Sequence, residues 1–210
     1  MLNFAALSAT PLALDPYEHL VVSGFVPESE LVGVGEDFPA LPGPGSHPPN
    51  ELQIKGRFKA VIDDLLSPQF KKLIEQKFNI DLTDRPTMYT VRGFTREKDG
   101  EIHTDSETKL ITVLLYLNQS WESDVGRLRL LRNGTDLENY ALEVPPFGGT
   151  MLAFKRSDCS WHGHKPFSGQ RRALQLNWVT SQRVADFEHR RHQVSTKVKK
   201  VKAFFARSSA

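Results

Sequence analysis

The sequence predicts a mostly β fold with packing helices, arranged as a double-sheet jelly roll. From about residue 87 onward, apolar and polar residues alternate with a period of two, which is typical of strands with one buried face. Glycine, asparagine and proline separate these alternating segments at short intervals, as turns do. Many short strands with such spacing are typical of a jelly roll, and the helical spacing seen earlier in the chain supplies elements that can cover one sheet.

The alternating segments amount to about eight short strands. One early apolar run and seven later segments make up this set: 20–22, 88–92, the segment around His103, 110–118, 127–131, 142–144, 149–155 and 172–179. Asn133 and Gly134 follow the 127–131 segment and predict a tight hairpin turn there.

Two amphipathic helices are predicted within residues 57–79. Their apolar residues recur at helical spacing, in one set (Phe58, Val61, Ile62, Leu65, Leu66) before Pro68 and another (Phe70, Leu73, Ile74, Phe78) after it. We interpret both apolar faces as packing against the back of a sheet rather than as a surface for a partner. Before them, residues 33–50 are rich in Gly and Pro and predict a long loop, in which His47 is expected to be solvated.

Length and composition fit one domain in a reducing compartment. The 210 residues divide into N-terminal strands and supporting helices (1–85), a jelly-roll core (86–182) and a basic C-terminal tail (183–210). The net charge of +2 gives no global case for nucleic acid, and the tail favours a solvated basic helix over an anionic partner. The single cysteine, Cys159, excludes an intramolecular disulfide and is expected to be a small buried residue. No membrane span or basic leader is evident, so a cytoplasmic protein is expected, while its oligomeric state stays open.

The segment His103-Thr104-Asp105 carries the first sign of chemistry. Side chains at i and i+2 point to the same face of a strand, so an imidazole and a carboxylate would lie together. Such a pair supplies two ligands of a 2-His-1-carboxylate triad, which leaves open positions on an octahedral iron. Alone the pattern is weak, because a surface strand with a His and an Asp arises often by chance.

A second element about sixty residues downstream strengthens the metal interpretation. It contains Ser160-Trp161-His162-Gly163-His164, followed by Arg171-Arg172 at the start of an alternating strand. Either histidine could supply the third ligand. An arginine facing into a barrel could hold a dicarboxylate through a bidentate, charge-assisted pair.

With these residues the sequence resembles the Fe(II)/2-oxoglutarate-dependent dioxygenases, and most closely their prolyl-hydroxylase-like branch. The resemblance runs from about Met88 to Val179. Its carriers are His103-Thr104-Asp105, residues 112–118 and 145–150, Trp121, Gly126-Arg127-Leu128, Phe154, His162 and Arg172. Asp124-Val125-Gly126 departs from a commoner Gly-Gly before the Arg-Leu strand, which puts the substrate in doubt but not the iron chemistry.

The resemblance implies a double-stranded β-helix core of the jelly-roll or cupin-like kind. It implies His103, Asp105 and His162 as iron ligands, because the distal ligand in similar enzymes precedes the 2-oxoglutarate arginine by nine or ten residues. His164 would then contact a ligand histidine or the substrate. Fe(II), 2-oxoglutarate and O₂ follow as cofactor and cosubstrates, and ascorbate is allowed as a further cofactor.

The cosubstrate residues are predicted from strand parity together with the resemblance. Arg172 shares its parity with Leu174, Leu176 and Trp178, the apolar set expected to face the barrel interior, so Arg172 rather than Arg171 is predicted to hold the distal carboxylate. The hydroxyls of Thr112 and Tyr116 match family positions that bond the same carboxylate. The alternative is that both are ordinary strand residues whose hydroxyls are satisfied by local hydrogen bonds. Arg92, one strand earlier, fits either a ligand contact or a solvated position.

These observations predict a 2-oxoglutarate/Fe(II)-dependent dioxygenase that hydroxylates an unidentified substrate and releases succinate and CO₂. The substrate could be a protein, a small molecule or a glycan, and no membrane or nucleic-acid role is expected. A non-catalytic jelly-roll module that binds a metal or ligand is the alternative. Such a module would have no need for both a third metal ligand and a carboxylate-binding arginine.

Overall fold

Two antiparallel sheets form the framework of the protein, and the computed structural model describes them within residues 1–186. The strands are β1 (His19–Val22), β2 (Thr87–Thr95), β3 (Lys109–Tyr116), β4 (Leu128–Leu131), β5 (Tyr140–Val144), β6 (Met151–Lys155), β7 (His162–Gly163) and β8 (Gly169–Val179). The larger sheet has the order β1-β6-β3-β8-β2 and the smaller one the order β5-β4-β7. The predicted mostly β, double-sheet class is therefore confirmed, with the double-stranded β-helix core that the resemblance implies.

Most predicted strands are present with shifts of a few residues, but two local predictions are wrong. The segment around His103 is not a strand: it makes an isolated antiparallel bridge to His162. The Asn133-Gly134 pair does not form a two-residue hairpin, because residues 132–139 connect β4 to β5. There the Asn133 side-chain oxygen accepts hydrogen bonds from the backbone N–H groups of Thr135 and Asp136 and so stabilises a longer turn.

Helices cover one face of the larger sheet. They are α1 (Phe4–Ala9), α2 (Glu28–Glu36), α3 (Gly56–Leu65) and α4 (Pro68–Phe78), and a short 3₁₀ turn spans Pro49–Glu51. The amphipathic segments predicted within residues 57–79 are α3 and α4. The Ser67 hydroxyl accepts the backbone N–H of Phe70 at 3.2 Å, so Ser67 and Pro68 form the expected cap that separates the two helices.

The faces of β8 belong to two different apolar clusters. Leu174, Leu176 and Trp178 pack with the helices, and the Trp178 ring lies 5.9 Å from that of Phe70. Ala173 instead belongs to a smaller cluster between the two sheets, together with Tyr116 and Leu130. The apolar set of β8 therefore faces the helices, and the space between the sheets is lined by the alternate residues of that strand.

The Gly- and Pro-rich segment predicted as a loop over residues 33–50 is a loop only in its middle part, because residues 33–36 belong to α2 and residues 49–50 to the 3₁₀ turn. His47, within the loop, is buried. Its backbone exchanges two hydrogen bonds of 2.9 Å with Val91 of edge strand β2, and its ring Nε2 lies 2.7 Å from the Gly43 carbonyl oxygen. The expectation of a solvated His47 is wrong because the loop folds back onto the sheet edge, where an unpaired backbone would otherwise remain. The division of the chain at residues 85 and 182 stays a prediction.

The basic tail lies almost wholly outside the described residues, which end at Asp186. The expected solvated helix with its basic runs at 189–192 and 197–202 therefore stays a prediction. Among the described helices, none has the length and apolar character that a membrane crossing requires.

Gly149 offers a test of how tightly the turn before β6 is built. Both Gly148 and Gly149 have positive φ, but a Cβ on Gly149 would lie 2.3 Å from the Val26 carbonyl oxygen, whereas one on Gly148 would meet nothing within 4 Å. Alanine at a positive φ costs roughly 1–2 kcal/mol, and forced overpacking adds about 1–3 kcal/mol. We expect Gly149→Ala to lower the free energy of unfolding in urea by clearly more than Gly148→Ala. Equal losses would show that Val26 moves aside freely.

Candidate active site

His103, Asp105 and His162 come together at one point although about sixty residues separate them in the chain. The ligand-capable atoms of the three side chains all lie within 4.8 Å of one another. The bridge between the two histidines causes this: the N–H of His103 donates to the His162 carbonyl oxygen at 3.0 Å, and the N–H of His162 donates back at 2.9 Å. The two imidazoles consequently stack with their ring centres 4.4 Å apart.

Both histidines are oriented so that the same ring nitrogen is left for a ligand. The Nδ1 of His103 lies 2.8 Å from the Glu101 carbonyl oxygen, and that of His162 lies 3.0 Å from the carbonyl oxygen of Ser160. A carbonyl oxygen can only accept, so Nδ1 carries the proton in each ring and Nε2 keeps its lone pair. Burial, together with nearby His103, lowers the pKa of His162 to about 4, so this imidazole is neutral as a metal ligand must be.

Asp105 is held as a carboxylate by its neighbours. Burial alone would raise the pKa of Asp105, but the Lys109 ammonium, His162 and hydrogen bonds from Lys109 and Thr112 outweigh it and lower that pKa. Thr112 donates its hydroxyl proton to Asp105 and accepts from the Asn177 side-chain N–H at 2.8 Å. Thr112 was predicted to bind the cosubstrate carboxylate, but its one hydroxyl proton is donated to Asp105, a candidate metal ligand.

The three residues lie on the wall of a cavity of about 580 Å³ between the two sheets. Strands β2, β8 and β3 form the floor of the cavity, where paired residues of neighbouring strands lie side by side. Thr112 pairs with Asn177 beside the ligand candidates, and Tyr116 pairs with Ala173 further along. Since a strand rises by about 3.4 Å per residue, Thr112 and Tyr116 lie roughly 13 Å apart along β3, so the floor extends well away from Asp105.

Arg171, and not Arg172, reaches into this cavity. Arg171 is 5 % exposed, lines the cavity with Ala173, Gln175 and Asn177, and donates from Nε to the Gly126 carbonyl oxygen at 2.9 Å. Arg172 lies on the other face, where it donates to the Gly35 carbonyl oxygen at 3.1 Å and lies over the Phe38 ring. The prediction that Arg172 faces the barrel interior is therefore wrong. The prediction divided the residues of β8 correctly into two alternating sets, but the apolar set faces the helices and not the cavity.

Tyr116 lies beside Arg171 at this end of the cavity, although Tyr116 is not itself among the lining residues. The Arg171 guanidinium donates to the Tyr116 hydroxyl oxygen at 3.2 Å and lies 5.1 Å from the centre of the ring. Complete burial raises the pKa of Tyr116, so the phenol keeps its proton and can donate it. A cation and a neutral hydroxyl at one point are a suitable recognition set for a carboxylate.

His164 lines the same cavity but does not join the cluster of three. Among the described residues, the group able to hold a metal contains His162 and not His164. The Nδ1 of His164 lies 2.8 Å from the Lys165 carbonyl oxygen, and its backbone N–H donates to the Gly100 carbonyl oxygen. Burial, with Arg171 nearby, lowers the pKa of His164 to about 4.

Sequence reasoning missed three features of this region. Lys109 and Asn177 were not singled out, although the spacing of Lys109 four residues after Asp105 was a usable signal. Cys159 is exposed, with Sγ 3.4 Å from the Ser157 hydroxyl, so the expected small buried residue is wrong. It lies on the turn that precedes His162, where the loop rather than the core determines its environment.

Comparisons with known proteins agree with this arrangement. Residues 87–180 match the family model described as the 2OG-Fe(II) oxygenase superfamily. A comparison with curated protein sequences gives no match.

Solved structures share the fold at low sequence identity. A Pseudomonas putida prolyl-4-hydroxylase is 17 % identical with a TM-score of 0.54, over 83 % of this chain and 91 % of that one. A Phytophthora capsici prolyl 4-hydroxylase is 15 % identical with a TM-score of 0.56, over 88 % and 68 % of the two chains. A viral collagen prolyl hydroxylase from Paramecium bursaria Chlorella virus-1 is 14 % identical with a TM-score of 0.50, over 80 % and 98 %. Residues 87–180 are therefore similar to the 2OG-Fe(II) oxygenase superfamily, whose members use Fe²⁺, 2-oxoglutarate and O₂, and the fold is similar to that of prolyl 4-hydroxylases.

Proposed function

We propose that the protein is a hydroxylase that couples oxidation of an organic substrate to conversion of 2-oxoglutarate into succinate and CO₂. The observation that carries the proposal is that one cavity holds both a 2-His-1-carboxylate cluster and, at its other end, a buried arginine beside a tyrosine hydroxyl. A module that only bound a metal would need the first feature, and one that only bound an acid would need the second.

The residues present fit the iron that the family uses. His103, Asp105 and His162 would hold it, since two neutral imidazoles and one carboxylate are the donor set of a facial triad with open positions. Bound iron supplies the oxidative chemistry, and the protein supplies orientation and a shielded cavity. Lys109 and Thr112 keep Asp105 ionised and fix its direction, as partners of ligating carboxylates do.

Arg171 and Tyr116 would bind the distal carboxylate of 2-oxoglutarate. The guanidinium makes hydrogen bonds to Gly126 and Tyr116 and, among the described residues, no ion pair with a carboxylate. Its charge is therefore available for the cosubstrate. The other end of the 2-oxo acid would then point along the floor toward the ligand cluster.

Peptidyl proline is the first substrate to test, because the P. putida and P. capsici proteins of similar fold are prolyl 4-hydroxylases. Identities of 17 % and 15 % support the fold and not the substrate, so small molecules and glycans belong in the same panel.

The proposal is tested by anaerobic addition of Fe²⁺ and 2-oxoglutarate, followed by exposure to O₂ and measurement of succinate. We expect a visible charge-transfer absorption under anaerobic conditions and slow succinate formation that the right substrate accelerates. Omission of iron and addition of a chelator serve as controls. Failure to bind 2-oxoglutarate in the presence of metal would refute the proposal, and binding without any succinate formation would favour the non-catalytic module.

A further inference from the structure

A second arginine, Arg92, lines the cavity and has no part in holding the metal or 2-oxoglutarate in the proposed function. It lies on edge strand β2 opposite Ala173, in the same row of the floor as Tyr116. Because Ala173 is the small residue between them, no large side chain separates Arg92 from Tyr116 across the floor. The end of the cavity that contains Arg171 therefore contains two guanidinium groups.

Arg92 has no acidic partner within the described residues. Its Nη2 donates a hydrogen bond to the hydroxyl of Ser46 at 3.0 Å, a neutral group on the loop that covers the sheet edge. Across residues 1–186, no carboxylate forms an ion pair with the Arg92 guanidinium within 4.0 Å. Asp99, which lines the same cavity, is bound to Arg96 through the Arg96 side chain and backbone, both at 3.0 Å.

The surroundings disfavour an isolated positive charge at this point. Burial lowers the pKa of Arg92, nearby Asp99 opposes that change, and Arg171 and Arg96 lower the pKa further. A buried charge without a partner costs free energy, and a protein tolerates it where a ligand supplies the opposite charge. Cations without acidic partners in a ligand cavity therefore point to an anionic ligand.

The cosubstrate does not account for Arg92. In the proposed function the distal carboxylate of 2-oxoglutarate has Arg171 and Tyr116, and the 2-oxo acid end has the metal. Arg92 differs from Arg171 in its position: it lies on the outermost strand and is joined to the covering loop through Ser46. A guanidinium there can meet a second molecule within the same cavity.

We propose that Arg92 recognises the primary substrate, and that this substrate carries a carboxylate or a comparable anionic group. The inference rests on the proposed function, since it assigns 2-oxoglutarate to Arg171. It narrows the substrate class to acids, such as an amino-acid carboxylate or an acidic side chain close to the carbon that reacts.

The test uses the full chain loaded with Zn²⁺, which accepts the same ligand types without redox chemistry, and with saturating 2-oxoglutarate. N-acetyl-L-proline and N-acetylglycine are the acidic probes, and their amides are the neutral matches. Binding is followed by saturation-transfer NMR. We expect the wild type to bind each acid at least about tenfold more tightly than its amide, a difference that a single charge-assisted pair supplies.

Variants test whether Arg92 causes the preference for acids over amides. Arg92→Met should abolish it, Arg92→Lys should restore part of it, and Arg85→Met, which removes an arginine outside the cavity, should leave it unchanged. A wild type without acid preference, or an Arg92→Met variant that keeps it, overturns the inference. So does an Arg92→Met variant that loses 2-oxoglutarate affinity alone, which would assign Arg92 to the cosubstrate. Because the NMR readout needs no turnover, absence of succinate formation refutes the proposed function without deciding this test.

Discussion

Arg171→Met is expected to weaken 2-oxoglutarate binding by about two orders of magnitude, whereas Arg172→Met should change it by less than about threefold. Arg171 is buried in the cavity, so its loss would leave the distal carboxylate without its cation, and the Tyr116 hydroxyl could not replace that charge. Arg172 contacts Gly35 and Phe38 on the helix side of the sheet, outside the cavity.

Calorimetric titration of 2-oxoglutarate into the Mn²⁺-loaded protein measures both variants. The two arginines are adjacent in sequence and carry the same charge, so each controls for the other. Thermal unfolding checks that Arg172→Met, which removes a contact with α2, has not simply loosened the fold. A larger loss of affinity in Arg172→Met than in Arg171→Met would restore the parity interpretation that the structure contradicts.

The wrong assignment of Arg172 to the cavity shows what the alternation of residues along a strand can and cannot predict. Alternation correctly divided β8 into two sets of residues, because a strand places successive side chains on opposite faces. It did not say which set faces the cavity, since both faces of this central strand are covered. Hydrophobicity then points the wrong way: the apolar set packs against helices, while Gln175 and Asn177 line a cavity that must hold polar ligands.

Other features were predictable to different degrees for physical reasons. Helices α3 and α4 follow from their apolar spacing, because burial of one stripe determines them locally. The meeting of His103 with His162 could be expected only from the resemblance, since a single bridge between distant segments leaves no local pattern. The burial of His47 likewise left no local pattern in the sequence, because it depends on a loop that pairs with the edge of the distant strand β2.

His103→Ala and Asp105→Ala are each expected to abolish succinate formation and to lower metal affinity by about 10²-fold or more, because each removes one of three metal ligands. Asp105→Ala also leaves the Lys109 ammonium without its ion-pair partner, so some loss of stability is expected with it. His103 is exposed, so its replacement separates loss of the metal centre from loss of the fold.

Metal content and Co²⁺ titration measure the first effect, and succinate formation measures the second. Glu101→Gln is the matched control: it removes an exposed acid that lines the same cavity two residues before His103, and only its backbone carbonyl contacts that histidine. It should retain metal and turnover. Succinate formation by a folded His103→Ala or Asp105→Ala protein would show that iron is held elsewhere. The orientation imposed by the carbonyl oxygens of Glu101 and Ser160 would then reflect packing of the bridge and not preparation of a metal site.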